Sequence, residues 1–166
     1  MVGLKKSHKR ALKIFTLILA MSLIAVLYQL GKTEAPNFHS IDIYGNPFSV
    51  EEYRGKVILL YFWKVRCIPS MKAVENIRRL SNTYGRMIIV GICLDQNVTI
   101  VKNYVKIRNI SWRIIVDNGT ISELYGITGT PEFILIDKKG YIACRLKGLR
   151  DDFDTIMDEK IRKLKP

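Results

Sequence analysis

Two uninterrupted apolar runs, Val57 to Trp63 (VILLYFW) and Met87 to Leu94 (MIIVGICL), constrain the fold of this 166-residue chain more than any other feature. Runs this short and continuous belong to strands covered on both faces, as in the centre of a sheet with helices on either side. Between them Met71, Val74, Ile77, Leu80 and Tyr84 recur at three- and four-residue spacing, which is one face of a helix. Strand, helix and strand in this order predict a βαβ unit with parallel strands.

The flanking segments extend the pattern. Ile41 to Ser49 alternates apolar residues around Gly45-Asn46-Pro47 and reads as a small hairpin. Ser49 then caps a one-turn helix that ends near Gly55. Beyond the second run come a helix over Val98 to Ile107, a strand over Trp112 to Val116 and a short helix over Ile121 to Tyr125. Strands over Glu132 to Ile136 and Tyr141 to Leu146 flank Asp137-Lys138-Lys139-Gly140, the tight polar loop of an antiparallel hairpin. Phe153, Ile156, Met157, Ile161 and Leu164 make a closing helical stripe.

Ahead of all this, Ile14 to Gly31 holds eighteen residues without a charge. As a helix it would cover about 27 Å, enough to cross a bilayer. Lys5, Lys6, Lys9, Arg10 and Lys13 precede it with no acid among them, so the positive-inside rule puts residues 1–13 in the cytoplasm and the rest outside. A cleaved signal peptide is the alternative, but the run exceeds a usual h-region and its best small-residue site, Thr33-Glu34-Ala35, is followed by Pro36. A buried core helix fits less well, because the run has no polar face. The expected organisation is a basic tail over 1–13, a transmembrane signal-anchor over 14–31, a linker over 32–36 and an extracytoplasmic domain over 37–166. The expected location is the cell membrane, single-pass.

The net charge of +12 falls to about +7 without the five basic residues of the tail, leaving 22 Lys and Arg against 15 Asp and Glu. The remaining excess is scattered, without the interleaved aromatics of a nucleic-acid strip, so no nucleic-acid partner is expected. Weak attraction to anionic lipid or an acidic partner suits it better. The three cysteines cannot all pair within one chain.

Cys67 follows the first buried strand and opens the helix, where unpaired N–H groups and the helix dipole favour negative charge. A thiolate is favoured at such a place, and Lys64 and Arg66 add positive charge beside it. Pro69 suits an early helical position, since its missing N–H costs nothing in the first turn. The competing reading of Cys67 is a small buried hydrophobe, which its strand-to-helix position argues against. Cys93 within the second run, and Cys144 on the same face as Ile142 and Leu146, read as buried structural thiols. His8 and His39 lie away from the cysteines, and neither a metal site nor a cofactor is expected.

Phe62-Trp63-Lys64-Val65-Arg66-Cys67-Ile68-Pro69-Ser70 resembles the Phe-Trp-x-x-Trp-Cys-x-x-Cys segment of the thioredoxin superfamily. Asp42 to Gly45, Phe48-Ser49 and Arg54 to Val57 resemble the N-terminal extension of its TlpA-like branch, which includes membrane-anchored thiol-disulfide oxidoreductases of the ResA and StoA type. Tyr125 to Pro131 and Phe133 to Asp137 are similar to that branch's approach to a cis-proline. The resemblance spans roughly residues 35–166. It implies an α/β thioredoxin-like fold, a central mixed sheet flanked by helices with an N-terminal β-hairpin extension, preceded by one transmembrane helix. It also implies that Cys67 is the attacking cysteine and that Pro131 is a cis-proline beside it. Trp63, Arg66, Pro69, Thr130 and Pro131 would then surround a substrate groove in which the Thr130 backbone pairs with the bound chain.

Three positions depart from that pattern. Ser70 replaces the second cysteine, Arg66 the tryptophan before the first, and Tyr61 the buried acid before Phe-Trp. Ser70 cannot attack a mixed disulfide, although its hydroxyl can hydrogen-bond the Cys67 sulfur. The leading expectation is a monomeric CxxS monothiol oxidoreductase that exchanges disulfides with exported thiol proteins, an external or low-molecular-weight thiol resolving the intermediate. A one-cysteine peroxidase of the peroxiredoxin branch shares the Asp-x-x-Gly and Arg-Gly-Lys-Val features. It lacks support in a Pro-x-x-x-Thr before Cys67, and Thr130-Pro131-Glu132 stands where that branch has its catalytic arginine. A redox-inactive binding module built on the same groove is the third expectation.

Overall fold

In the computed structural model, which describes residues 13–23 and 31–165, the two apolar runs become neighbouring parallel strands. The chain divides into two units, residues 1–33 and 34–166. In the first, residues 13–23 are helical, and apolar side chains such as Phe15, Leu19 and Met21 are exposed. Most of the expected tail over 1–13, and residues 24–30 of the expected anchor over 14–31, lie outside the described residues. Among the described residues no helix is long and apolar enough to cross a membrane.

The second unit runs β1 (His39–Ile41), β2 (Pro47–Ser49), a 3-10 turn (Glu51–Tyr53), β3 (Ile58–Trp63), α1 (Ile68–Thr83), β4 (Ile88–Cys93), α2 (Val98–Ile107), β5 (Arg113–Val116), α3 (Thr120–Leu124), β6 (Glu132–Ile136), β7 (Ile142–Lys147) and α4 (Phe153–Leu164). Five strands form one sheet in the order β5-β4-β3-β6-β7. β3 is parallel to β4 and antiparallel to β6, so the sheet is mixed. Its central position explains why all six residues of β3 are buried.

Because successive side chains of a strand point to opposite faces, β3 feeds two cores. Leu59, Tyr61 and Trp63 meet Ala73, Val74 and Ile77 of α1 and Phe153, Met157 and Ile161 of α4. Ile58, Leu60 and Phe62 meet Phe38, Phe48 and Val50 of the N-terminal extension and Ile121 and Tyr125 around α3. Each such fully buried aliphatic or aromatic side chain contributes about 1.5–3 kcal/mol.

Short polar contacts set the element ends. The Ser49 hydroxyl accepts the Glu52 amide at 3.3 Å, and Asn97 Oδ1 accepts the Ile100 amide at 3.1 Å to start α2. Asp117 takes the amides of Ile121 and Ser122, both at 2.9 Å, at the start of α3. Residues 34–36, read from the sequence as linker, belong to the folded unit. Glu34 bridges to Tyr141, the Ala35 amide donates to the Gly140 carbonyl at 2.9 Å, and the Tyr125 hydroxyl donates to the Pro36 carbonyl at 2.6 Å. Nothing local in Glu34-Ala35-Pro36 marks a folded segment, and only the hairpin and Tyr125 that they meet give them partners.

A second difference lies on β7. Cys144 and Leu146 pack on the α1 and α4 side, as their alternation predicts, but Ile142 packs on the other. The register slips between Leu135 and Ile136, which pair with Cys144 and Ile142. The extra residue of such a bulge turns one side chain over.

The β1–β2 turn is held by a buried carboxylate. Asp42 Oδ1 accepts the amides of Tyr44 and Asn46, both at 2.9 Å, and Arg113 Nη1 stands 3.6 Å from Oδ2. Burial alone would push the Asp42 pKa up, but the Asn46 amide and side chain, the Tyr44 amide and Arg113 outweigh it and hold it below the ordinary carboxylate value. A carboxylate with a depressed folded pKa contributes stability above its unfolded pKa, about 3.9, and loses it as pH falls through the folded value. Asp42→Asn is therefore expected to cost about 1–3 kcal/mol at neutral pH, and the cost shrinks as pH falls below that window. Urea midpoints of both proteins across that pH range measure it.

Candidate active site

β3 ends at Trp63, and after three intervening residues the chain turns into α1 with Cys67 as its N-cap. The turn is pinned from two sides. The Asp95 carboxylate, just beyond β4, accepts the Val65 amide at 2.6 Å, and the Cys67 amide donates to the Lys64 carbonyl at 3.3 Å. Cys67 is in an extended conformation, and its carbonyl accepts the Met71 amide at 2.9 Å, beginning the helix. Pro69 lies in the first turn and leaves no amide unpaired there.

From the other side of the sheet order comes the segment before β6. The Thr130–Pro131 peptide bond is cis, and Pro131 is buried with its carbonyl accepting the Gly148 amide at 2.8 Å. Cys67 Sγ stands 3.4 Å from the Thr130 carbonyl oxygen, so the thiol donates there. Two motifs more than sixty residues apart in the chain thus meet at one sulfur.

Several groups act on that sulfur. Burial pushes the Cys67 thiol up, but the Ser70 hydroxyl and amide, the Thr130 side chain and the Lys64 charge together bring it below the ordinary thiol value. The donation of the thiol to the Thr130 carbonyl acts in the opposite sense, since an acceptor favours S–H over S⁻. The Ser70 hydroxyl is fully buried and makes no hydrogen bond of ordinary geometry, with the Cys67 sulfur or with any other group. Burial raises the other two thiols. Cys93 is pushed up to about 12, and its Sγ lies 3.8 Å from Asp95 Oδ2, while the half-buried Cys144 is shifted in the same direction. All three cysteines are free.

Cys67, Ser70, Pro69, Thr130 and Pro131 therefore come together. Arg66 is exposed in the same turn and, unlike Lys64, is not among the groups that shift the thiol. Trp63 does not line a groove. Its side chain is wholly buried, stacked at 6.1 Å on Tyr61 and tilted at 5.3 Å against Tyr104, because residue 63 shares the inward face of β3 with Leu59 and Tyr61.

Two residues gain a role that the sequence did not show, and a third gains an unexpected position. Tyr61 donates its buried hydroxyl to the Ser70 carbonyl at 2.6 Å, and burial raises its pKa far enough that it stays protonated. Asp95 holds the turn, as described. Glu132 follows Pro131 directly but faces the second core with Ile134 and Ile136, away from Cys67. It is buried, with Arg145 Nε 3.2 Å from Oε1 at an angle too poor for a hydrogen bond. A glutamate opening an otherwise apolar strand was the only sequence signal for it.

A family model described as AhpC/TSA matches residues 32–145. The chain belongs to the AhpC/TSA family. The chain is also similar to proteins named thiol-disulfide oxidoreductase ResA. One, from Bacillus thuringiensis subsp. konkukian, is 31% identical over 141 residues, covering 83% of this chain and 80% of the relative. Another, from Bacillus cereus, is 30% identical over 176 residues, covering 98% and 100%. Among solved structures, a thiol:disulfide interchange protein of the thioredoxin family from Chlorobium tepidum superposes with a TM-score of 0.72 at 24% identity, covering 80% of this chain and 96% of that one. StoA of Bacillus subtilis gives 0.65 at 22% identity, covering 76% and 96%. At these identities the structural likeness shows the fold, a thioredoxin-like mixed sheet flanked by helices.

Proposed function

We propose that this chain is a membrane-anchored thioredoxin-like protein of thiol-disulfide exchange that works through Cys67 alone. The observation that carries the reading is the Cys67 sulfur at a helix start, 3.4 Å from the Thr130 carbonyl beside Pro131, with a lowered pKa and a serine where a second thiol would stand. The names of the ResA relatives support the reaction class. The uncharged stretch 14–31 after a basic tail supports the anchor, and the exposed apolar side chains of helix 13–23 suit it.

In this reading the Cys67 thiolate attacks a disulfide of an exported protein along the S–S axis. A Cys67–substrate disulfide forms, and the other substrate sulfur leaves as thiolate and takes a proton. An external thiolate then attacks the Cys67 sulfur and releases the second substrate thiol. A second external thiolate frees Cys67 and leaves as the external disulfide. Two external thiols are oxidised for each substrate disulfide reduced. Tyr61 holds the Ser70 carbonyl and thereby the first turn of α1, which aims the Ser70 amide and hydroxyl at the sulfur.

Peptide-level alkylation across pH tests the reading. Cys67 is expected to reach half-reaction at lower pH than in the urea-unfolded chain, with Cys93 unreactive until far higher pH. A mixed disulfide with a thiol-disulfide exchange partner is expected to form in the native chain and to be absent in Cys67→Ala. Capture that persists in Cys67→Ala would favour a binding module, and peroxide consumption dependent on Cys67 would favour a peroxidase.

A further inference from the structure

We propose that the pole of the folded unit opposite Cys67 is a docking surface for anionic phospholipid headgroups; this rests on the anchored reading above. At that pole β3 and β4 begin and the β6–β7 hairpin turns. A concavity of about 490 Å³ opens there, lined by Lys56, Arg86 and Lys138 with the glycine backbone of Gly55 and Gly85, and no acid lines it. Lys139 adjoins it in the hairpin loop, and all four cations are exposed. Among the described residues none of the four has a carboxylate within ion-pair distance, whereas Arg78, Arg79, Arg150 and Lys163 elsewhere are all paired.

The nearby acids are engaged otherwise. Glu34 pairs with Arg54 at 2.7 Å, and the Asp137 carboxylate turns into its own hairpin, accepting the Lys139 and Tyr141 amides at 2.9 Å each. The loop is held in shape by contacts a side chain at residue 140 would destroy. Gly140 has φ +88°, and the Arg54 guanidinium, donating to the Lys139 carbonyl, occupies the place of a Cβ. The Gly55 amide donates to the Lys138 carbonyl at 2.8 Å, which fixes the two loops that carry Lys56 and Lys138 against each other.

The same pole receives the chain. Glu34 bridges to Tyr141 and Ala35 bonds Gly140, beside the basic loop. Three residues carry the backbone from Gly31 to Glu34, a reach of about 10 Å when extended. The chain thus enters the folded unit beside the basic loop, and cations near an anionic bilayer are drawn to its headgroups over about one Debye length. Cys67 lies past the far end of β3, about 20 Å along the strand direction. Docking by this pole holds Cys67 facing away from the bilayer, open to exported proteins.

The test uses the full chain in vesicles of phosphatidylcholine, with and without about 30% phosphatidylglycerol to supply negative surface charge. A water-soluble acetylating reagent labels the lysines and peptide mass spectrometry reads them. Lys56, Lys138 and Lys139 are expected to label about threefold more slowly on the anionic vesicles, Lys64 and Lys147 equally on both, with protection lost at about 0.5 M salt. Arg86→Glu is expected to weaken the protection of the three lysines. Flotation after an alkaline wash reports the anchor separately. A chain that floats but labels equally on both vesicles overturns the docking alone. A chain that does not float overturns the anchored reading and the docking with it.

Discussion

Ser70→Cys is expected to convert a chain that accumulates a Cys67 mixed disulfide into one that releases it. Residue 70 is one helical turn into α1, fully buried, with its hydroxyl and amide acting on the Cys67 sulfur. A thiol at that position is placed to attack the Cys67–substrate bond. It would expel the substrate thiolate and close a disulfide between Cys67 and the introduced thiol, which an external reductant then opens. The step becomes intramolecular, and reactants so held react as if present at far above the millimolar concentrations of a free thiol. The lifetime of the trapped species should fall on the order of 100-fold or more at equal external thiol. Quenched-flow gel shift of a labelled substrate reads it. A lifetime unchanged by the substitution would mean that the first turn of α1 does not aim residue 70 at the sulfur in the complex. Ser70→Ala serves as the companion. It removes the hydroxyl that favours the thiolate without adding a nucleophile, so its Cys67 alkylation curve should move to higher pH.

Trp63→Ala is expected to cost about 3–5 kcal/mol of stability, the range for emptying a large aromatic site in a core. The side chain has no exposed surface and contacts rings on two elements, Tyr61 on its own strand and Tyr104 on α2. A loss of that size lowers the folding constant by about two to four powers of ten. It should appear as a large drop in the urea midpoint. A wall of a substrate groove would behave otherwise, with stability nearly unchanged and capture of substrate impaired. Under conditions where Trp63→Ala remains folded, Cys67 is expected to keep its alkylation profile, because none of the groups that set it is Trp63.

The sequence was informative where a physical pattern is local. β3 and β4 read as buried because every position is apolar, and α1 and α4 read as helices because their apolar residues repeat at helical spacing. α2 begins and ends where the sequence placed it, over Val98 to Ile107, and the structure adds the Asn97 side-chain cap at its start. The reactive thiol was legible for a similar reason, as one cysteine at a strand-to-helix junction. Trp63 misled because the resemblance attaches it to a motif, whereas the alternation of β3 assigns it to the same face as Tyr61. Ile142 misled because alternation fails at a bulge, and a bulge depends on the pairing of Leu135 and Ile136 rather than on β7 alone.

By itself the sequence determined the order of elements, the uncharged stretch after a basic tail, Cys67 as the candidate nucleophile and the loss of a second thiol at Ser70. These follow from properties carried by single residues and their near neighbours. The tertiary structure decided everything that requires two distant segments to meet. It brought the Thr130 carbonyl to the Cys67 sulfur, the Tyr61 hydroxyl to the Ser70 carbonyl, the Asp95 carboxylate to the Val65 amide and residues 34–35 to the basic hairpin. A thiol's proton affinity is the sum of burial, hydrogen bonds and nearby charge, and each of those terms is a distance that exists only after the sheet has assembled.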